Sequence, residues 1–260
     1  MQATTLALVG ATGGAGTTRT AVELAAMGAR DGDDVAVVDA AFTTQGLSEY
    51  VTGRIDPDLT ALLTDDPDAA LSAAAYPVVG GGGNVGRAAD GEDDAPDLPG
   101  RVDAVPARAP FERVARAKTA EAARKLERRI DEAATTYDAV VVDAAPVGSN
   151  EAVAAATTAD RAVAVRPATV HGRDAAQRLR GRIADVGGSL AVERPGSGDG
   201  EEGDGVVRVP ATDPEVAAAP TAADEDDAYA RAIATAYETA FDATLDVEFP
   251  EPGLVERFAP

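Results

Sequence analysis

The chain contains no cysteine and no tryptophan, a single histidine, and only two lysines, Lys118 and Lys125. Each scarcity removes a class of chemistry. Without thiols there is no disulfide framework, no iron–sulfur cluster and no thiolate nucleophile. His171, the lone imidazole, has no evident partner in the sequence and reads as a surface or packing residue. Aromatic residues make up 4% of the chain, so the core must be built from Val, Leu, Ile and Ala. No apolar run approaches the roughly 20 residues that a membrane span needs. The chain enters an apolar strand almost at its first residue, leaving no room for a signal peptide, and the expected compartment is the cytoplasm.

Negative charge is what the chain has in excess. Asp and Glu number 45 against 23 Lys and Arg, for a formal net charge of −22. A dense carboxylate surface keeps a protein soluble where molar salt compresses the Debye length to about 3 Å. The composition resembles that of proteins from salt-accumulating halophilic archaea, and the charge then describes a solvated surface rather than a partner. Nonspecific nucleic-acid binding is disfavoured, because it needs a clustered basic patch and weakens steeply with salt. With 260 residues and 45% hydrophobic content, residues 1–260 are expected to form a single large α/β domain.

Leu6-Ala7-Leu8-Val9 reads as a buried strand, followed by the glycine-rich turn Gly10-Ala11-Thr12-Gly13-Gly14-Ala15-Gly16-Thr17-Thr18 and a helix over Thr18–Arg30 that Gly32 stops. Val35–Val38 is a second apolar strand ending at Asp39. Strand, glycine turn, helix and strand form a βαβ unit whose parallel sheet needs cover on both faces. A short helix is predicted at Asp58–Leu63, and strands at Val102–Val105, Tyr137–Asp143, Ala162–Val165, Leu190–Val192 and Val206–Val209. Amphipathic helices are predicted at Thr119–Ala134, Arg173–Ile183 and Asp227–Phe241. The acidic, glycine-rich stretches near 80–100 and 196–205 read as surface insertions. The terminal Asp246–Pro260 does not resemble a basic membrane-surface helix.

The glycine turn is the element that carries chemistry. It bends sharply and brings successive backbone N–H groups to a helix N-terminus, a place that favours phosphate. Against the full P-loop pattern G-x-x-x-x-G-K-[ST], however, Ala11 stands for the first glycine and Thr17 for the lysine, while Thr18 keeps the Mg²⁺-binding hydroxyl.

Further segments follow in order: Val37-Val38-Asp39-Ala40-Ala41 with Gln45-Gly46-Leu47-Ser48, Tyr137–Asp143 with Pro146, Val165-Arg166-Pro167, and Val209-Pro210-Ala211-Thr212-Asp213-Pro214-Glu215-Val216. Together with the glycine turn they make the chain resemble, nearly end to end, the MinD and ParA group of deviant Walker ATPases. The resemblance implies a doubly wound, mostly parallel sheet with helices on both faces and the site at the carboxyl ends of the strands. It implies phosphates of ATP or ADP over Gly13, Gly14, Ala15, Gly16, Thr17 and Thr18, with Arg19 near the α phosphate, and Mg²⁺ at Thr18, Asp39 and Asp143. A homodimer and a protein partner of unknown identity belong to the same expectation.

The family's charged positions are missing. Thr12 replaces the signature lysine that reaches the partner subunit's nucleotide, Thr17 the lysine that bridges the β and γ phosphates, and Ala41 the second acid of D-x-D. Because phosphoryl transfer relies on cationic stabilisation, the favoured reading is a degenerate relative that binds nucleotide weakly or not at all and has a regulatory or scaffold role in the cell-division or partitioning positioning that the resemblance implies. The alternatives are an active ATPase with an arginine in the lysine's role, and a partner-binding module whose loop is empty.

Overall fold

Runs such as Leu6-Ala7-Leu8-Val9 and Val140-Val141-Val142 are apolar at every position, so both faces of the sheet they build must be covered. The computed structural model describes residues 3–80, 98–146, 148–181, 186–192, 206–223 and 225–250. Both stretches expected as insertions fall largely outside these residues, as does the end of the terminal segment. The elements are β1 (Thr4–Gly10), α1 (Thr17–Asp31), β2 (Asp34–Asp39), α2 (Leu59–Thr64), β3 (Tyr76–Gly80), β4 (Arg101–Val105), α3 (Phe111–Ala117), α4 (Ala120–Thr136), β5 (Ala139–Ala144), α5 (Asn150–Thr158), β6 (Arg161–Pro167), α6 (Val170–Arg180), β7 (Val186–Val192), β8 (Val206–Val209) and α7 (Ala228–Phe241).

The strands form an eight-stranded sheet in the order β3-β4-β2-β5-β1-β6-β7-β8. Every pairing is parallel except that of β3 with β4. The chain leaves β1 toward β2 on one side and later returns to β6 on the other, so the loop after β1 lies where the winding reverses, the usual ligand position in such sheets. Alternation along the strands divides the core in two. Leu6, Leu8, Val37 and Val141 pack with α1 and α7, while Ala7, Val9, Val38 and Val142 pack with α2, α4, α5 and α6. Gly28 lets α1 approach closely: a Cβ there would stand 2.9 Å from the Tyr237 hydroxyl and 3.0 Å from Val35. Side-chain caps hold the helix starts at Asp58, Thr119, Thr169 and Asp227.

The predicted strands appear within a residue or two of their expected limits, apart from β7, which starts four residues earlier. The helix predicted at Arg173–Ile183 starts at Val170 and is described as far as Arg180. Three elements were not predicted. β3 contains Pro77 and carries an irregularity between Pro77 and Val79, and proline is tolerated there because the strand is an antiparallel edge. The seven-residue α3 is short and buries only Val114 and Ala117. Helix α5 buries alanines (Ala152, Ala154, Ala155 and Ala156) in place of a large-residue stripe, so its periodicity is faint.

Candidate phosphate and metal site

The glycine turn closes over the carboxyl end of β1. Ala11 N–H donates to the Val165 carbonyl of β6 at 2.8 Å, and the next backbone bond in the chain runs from Thr20 N–H to the Gly16 carbonyl at 2.9 Å. Gly14 and Gly16 take φ of +65° and +89°, a left-handed conformation that only glycine adopts without strain. Gly16 caps α1 with no side-chain bond to the helix. Among the described residues, no acceptor pairs with the N–H groups of residues 13–19. A run of unpaired donors at a helix N-terminus is the arrangement that takes a phosphate.

Opposite the turn stand two acids. Asp39 ends β2 and Asp143 sits near the end of β5, in register with each other. Strand alternation points both to the α1 side, and both are buried. Thr18 Oγ1 donates to Asp143 Oδ2 at 2.6 Å, whereas Asp143 Oδ1 has no hydrogen-bond partner. Asp39 accepts from the N–H of Ala41 at 2.9 Å and of Ala107 at 3.2 Å. Burial, and then the facing Asp143, push the Asp39 carboxyl up to about 8. Burial pushes Asp143 up to about 6, against the lowering effect of the Thr18 bond. The two titrate as a pair, so near neutral pH they share one proton.

This donor set suits Mg²⁺. A buried, unpartnered carboxylate oxygen lies beside a threonine hydroxyl and a second carboxylate, and all are hard oxygen ligands. Thr18, Asp143 and Asp39 would hold the ion, and binding it would release the shared proton. Gly46 belongs to the same wall, since a Cβ there would stand 3.2 Å from Thr18 Oγ1.

Of the residues singled out in the sequence, the fold brings Thr18, Asp39 and Asp143 together and sets Gly13, Gly14, Ala15 and Gly16 along the turn. Thr17 turns its hydroxyl over Gly10, where a Cβ would meet it at 2.9 Å. Ala41 is buried and serves Asp39 through its backbone. Arg19 is directed elsewhere. Its Nε donates to Glu23 at 2.6 Å, and its Nη1 donates to the carbonyls of Asp213 at 3.1 Å and Glu215 at 3.2 Å. Its guanidinium is therefore engaged away from the loop's N–H groups. His171 is exposed.

Sequence reasoning missed two side-chain clusters. Glu23, fully buried, also accepts from Thr221 N–H at 3.0 Å and Ala222 N–H at 2.8 Å, tying α1 to the segment after β8. Its spacing of four from Arg19 was the available signal. Lys118 Nζ lies 2.9 Å from Glu151 Oε1 and donates to Thr43 Oγ1 at 2.8 Å, linking the connection after β2 to α5. Nothing local in the sequence pairs these three residues.

No protein-family model matches the sequence, and no curated protein sequence matches it. Solved structures do. The MinD septum site-determining protein from Pyrococcus horikoshii, complexed with Mg-ADP, is 20% identical over 73% of this chain and 70% of its own, with a TM-score of 0.55. A ParA family ATPase from Chlorobium tepidum is 15% identical over 94% and 82%, with a TM-score of 0.55. Cobyrinic acid a,c-diamide synthase from Mycobacterium smegmatis, with bound ADP and magnesium, is 17% identical over 73% and 74%, with a TM-score of 0.52. Among the described residues no helix is long and apolar enough to cross a membrane. At these identities the likeness is one of architecture, and this chain has the MinD/ParA-type P-loop fold.

Proposed function

We propose that this chain is a lysine-free P-loop protein. It takes the phosphates of ADP or ATP, with Mg²⁺, on backbone donors alone, turns the nucleotide over slowly or not at all, and serves a regulatory or scaffold role in intracellular positioning. The observation that carries the reading is the combination at one site of a run of N–H groups unpaired among the described residues, a Thr18 hydroxyl on Asp143, and neutral side chains at the two lysine positions. Thr12 and Thr17 are neutral, and Arg19 is engaged by Glu23 and the 213–221 segment. The bound nucleotides of the MinD and synthase structures support the ligand class.

Backbone donors and the helix terminus retain attraction for phosphate. Losing one charge-assisted contact removes about 1.5–3 kcal/mol, or about one to two decades in Kd. Turnover suffers more, because the missing cations act where charge develops in the transition state. Assembly as a homodimer remains part of the proposal, without the contact that a lysine at position 12 would make across it. So do a single domain, a protein partner, a cytoplasmic location and a salt-adapted surface.

The test is phosphate release from Mg-ATP in molar KCl, with Thr18→Ala as control. The two should be indistinguishable. A Thr18-dependent rate of about one per minute, well above an unassisted P-loop rate on the order of 10⁻⁴ per second, would overturn the proposal.

A further inference from the structure

Four arginines gather on the sheet face opposite Asp39 and Asp143. Arg166, near the end of β6, is only 6% exposed. It is in register with Ala191 of β7, which is in register with Arg208 of β8. The two arginines therefore project from the same face on either side of a small residue, about 10 Å apart by strand spacing. Ala162 and Ala164 of β6 lie on that face too and pack with Ala176 and Leu179 of α6. Helix α6 adds Arg173 and Arg180, both exposed, seven residues apart and so on one side of the helix.

These groups face one another. Burial first, and then the charges of Arg173, Arg180 and Arg208, hold the Arg166 guanidinium below its ordinary value. Among the described residues, the polar contact of Arg166 is the Pro167 carbonyl at 3.4 Å, and no carboxylate pairs with Arg166, Arg173 or Arg180. A buried cation without a counter-charge is strongly unfavourable, and like charges add to the strain. Guanidinium forks match planar or tetrahedral oxyanions, and a multivalent anion relieves several of them at once.

We propose that this face is an oxyanion site for one phosphate-sized dianion, bound by Arg166 of β6 with Arg173 and Arg180 of α6. A compact ion fits better than a polyanion. Arg166 is nearly enclosed, and a net charge of −22 repels an extended phosphate backbone. The site lies on the other side of the sheet from Asp39 and Asp143, and Gly14→Val separates it from the loop after β1 in the test.

The experiment titrates the full chain with inorganic phosphate at fixed molar KCl and follows the melting temperature and heat of binding. Phosphate should raise the melting temperature of the parent, and should still raise that of Gly14→Val, in which the loop after β1 no longer takes the ion. Arg173→Ser, on the helix surface, should weaken phosphate about 3- to 10-fold. Made in the Gly14→Val background, where the loop after β1 no longer takes the ion, Arg166→Met should abolish the phosphate response while melting, without phosphate, at or above Gly14→Val. Should Arg166→Met fail to fold, the Arg173→Ser affinity decides alone. A phosphate response unchanged in Arg173→Ser and Arg166→Met, or lost in Gly14→Val, would overturn the proposal. Short duplex DNA that displaces phosphate and binds more tightly would make the face a nucleic-acid surface and overturn it too.

Discussion

Glu23→Ala should be among the most damaging single substitutions in this chain. The carboxylate is fully buried and accepts from Arg19 Nε at 2.6 Å, Ala222 N–H at 2.8 Å, Thr221 N–H at 3.0 Å and the Thr221 hydroxyl at 3.3 Å. Truncation leaves a largely buried guanidinium without its counter-charge and two backbone donors without acceptors. Breaking a buried pair in this way costs about 3–5 kcal/mol. At about 2–4 °C per kcal/mol for a chain of this size, the melting temperature should fall by about 6–20 °C. Arg19→Ala should cost less, because the carboxylate keeps its three other donors. The double variant should then be less damaged than the sum of the two, by about 0.5–3 kcal/mol. Thermal unfolding of all four proteins in the same molar KCl buffer is the assay. A Glu23→Ala shift under about 2 °C, or strict additivity, would refute the view that Arg19 serves this hub.

Stability should rise with KCl, because screening relieves repulsion in a chain of charge −22; melts that superimpose in dilute and molar salt would remove the salt-adaptation argument. The acid pair adds a pH dependence. The folded value of Asp39 is raised to about 8 above an unfolded value of about 3.9, so its stabilising contribution is complete below the unfolded value and is lost as pH rises through about 8. With metal chelated, the parent should therefore lose stability relative to Asp39→Asn between about pH 4 and 8, and parallel pH profiles would contradict the shared proton. Mg²⁺ binding at Thr18 and Asp143 should release protons near neutral pH; titrations in buffers of different ionisation heat that show no released proton would count against that ligand set.

Much of the fold was legible because its parallel strands are short apolar runs bounded by glycine and acid, and its main helices carry either a capping residue or a clear stripe. Val35–Val38 and Tyr137–Asp143 could hardly be read otherwise. What stayed hidden shows why single-sequence reading stops where it does. The stabilisation of β3 comes from pairing with β4, and that of α5 from close packing of alanine on α4, neither of which has a local period. At the site, the turn and its two acids were visible as a pattern, since strand ends and a glycine loop have fixed positions in such sheets. The direction of Arg19 was not, because its carbonyl partners lie almost two hundred residues downstream. The arginine face was hidden for a similar reason. Arg166 and Arg208 become neighbours only through the register of three strands.

The most direct measurement is calorimetric titration of Mg-ADP into the chain and into Gly14→Val, in molar KCl. Valine at position 14 strains a residue that needs a φ of +65° and places a side chain over the N–H groups, although a Cβ there meets no protein atom within 4 Å. The expected result is saturable binding to the parent, weaker than that of a lysine-bearing P-loop by about one to two decades, and no binding to the folded variant. No binding to the parent, or equal binding to both, would contradict a phosphate cradle built from backbone alone.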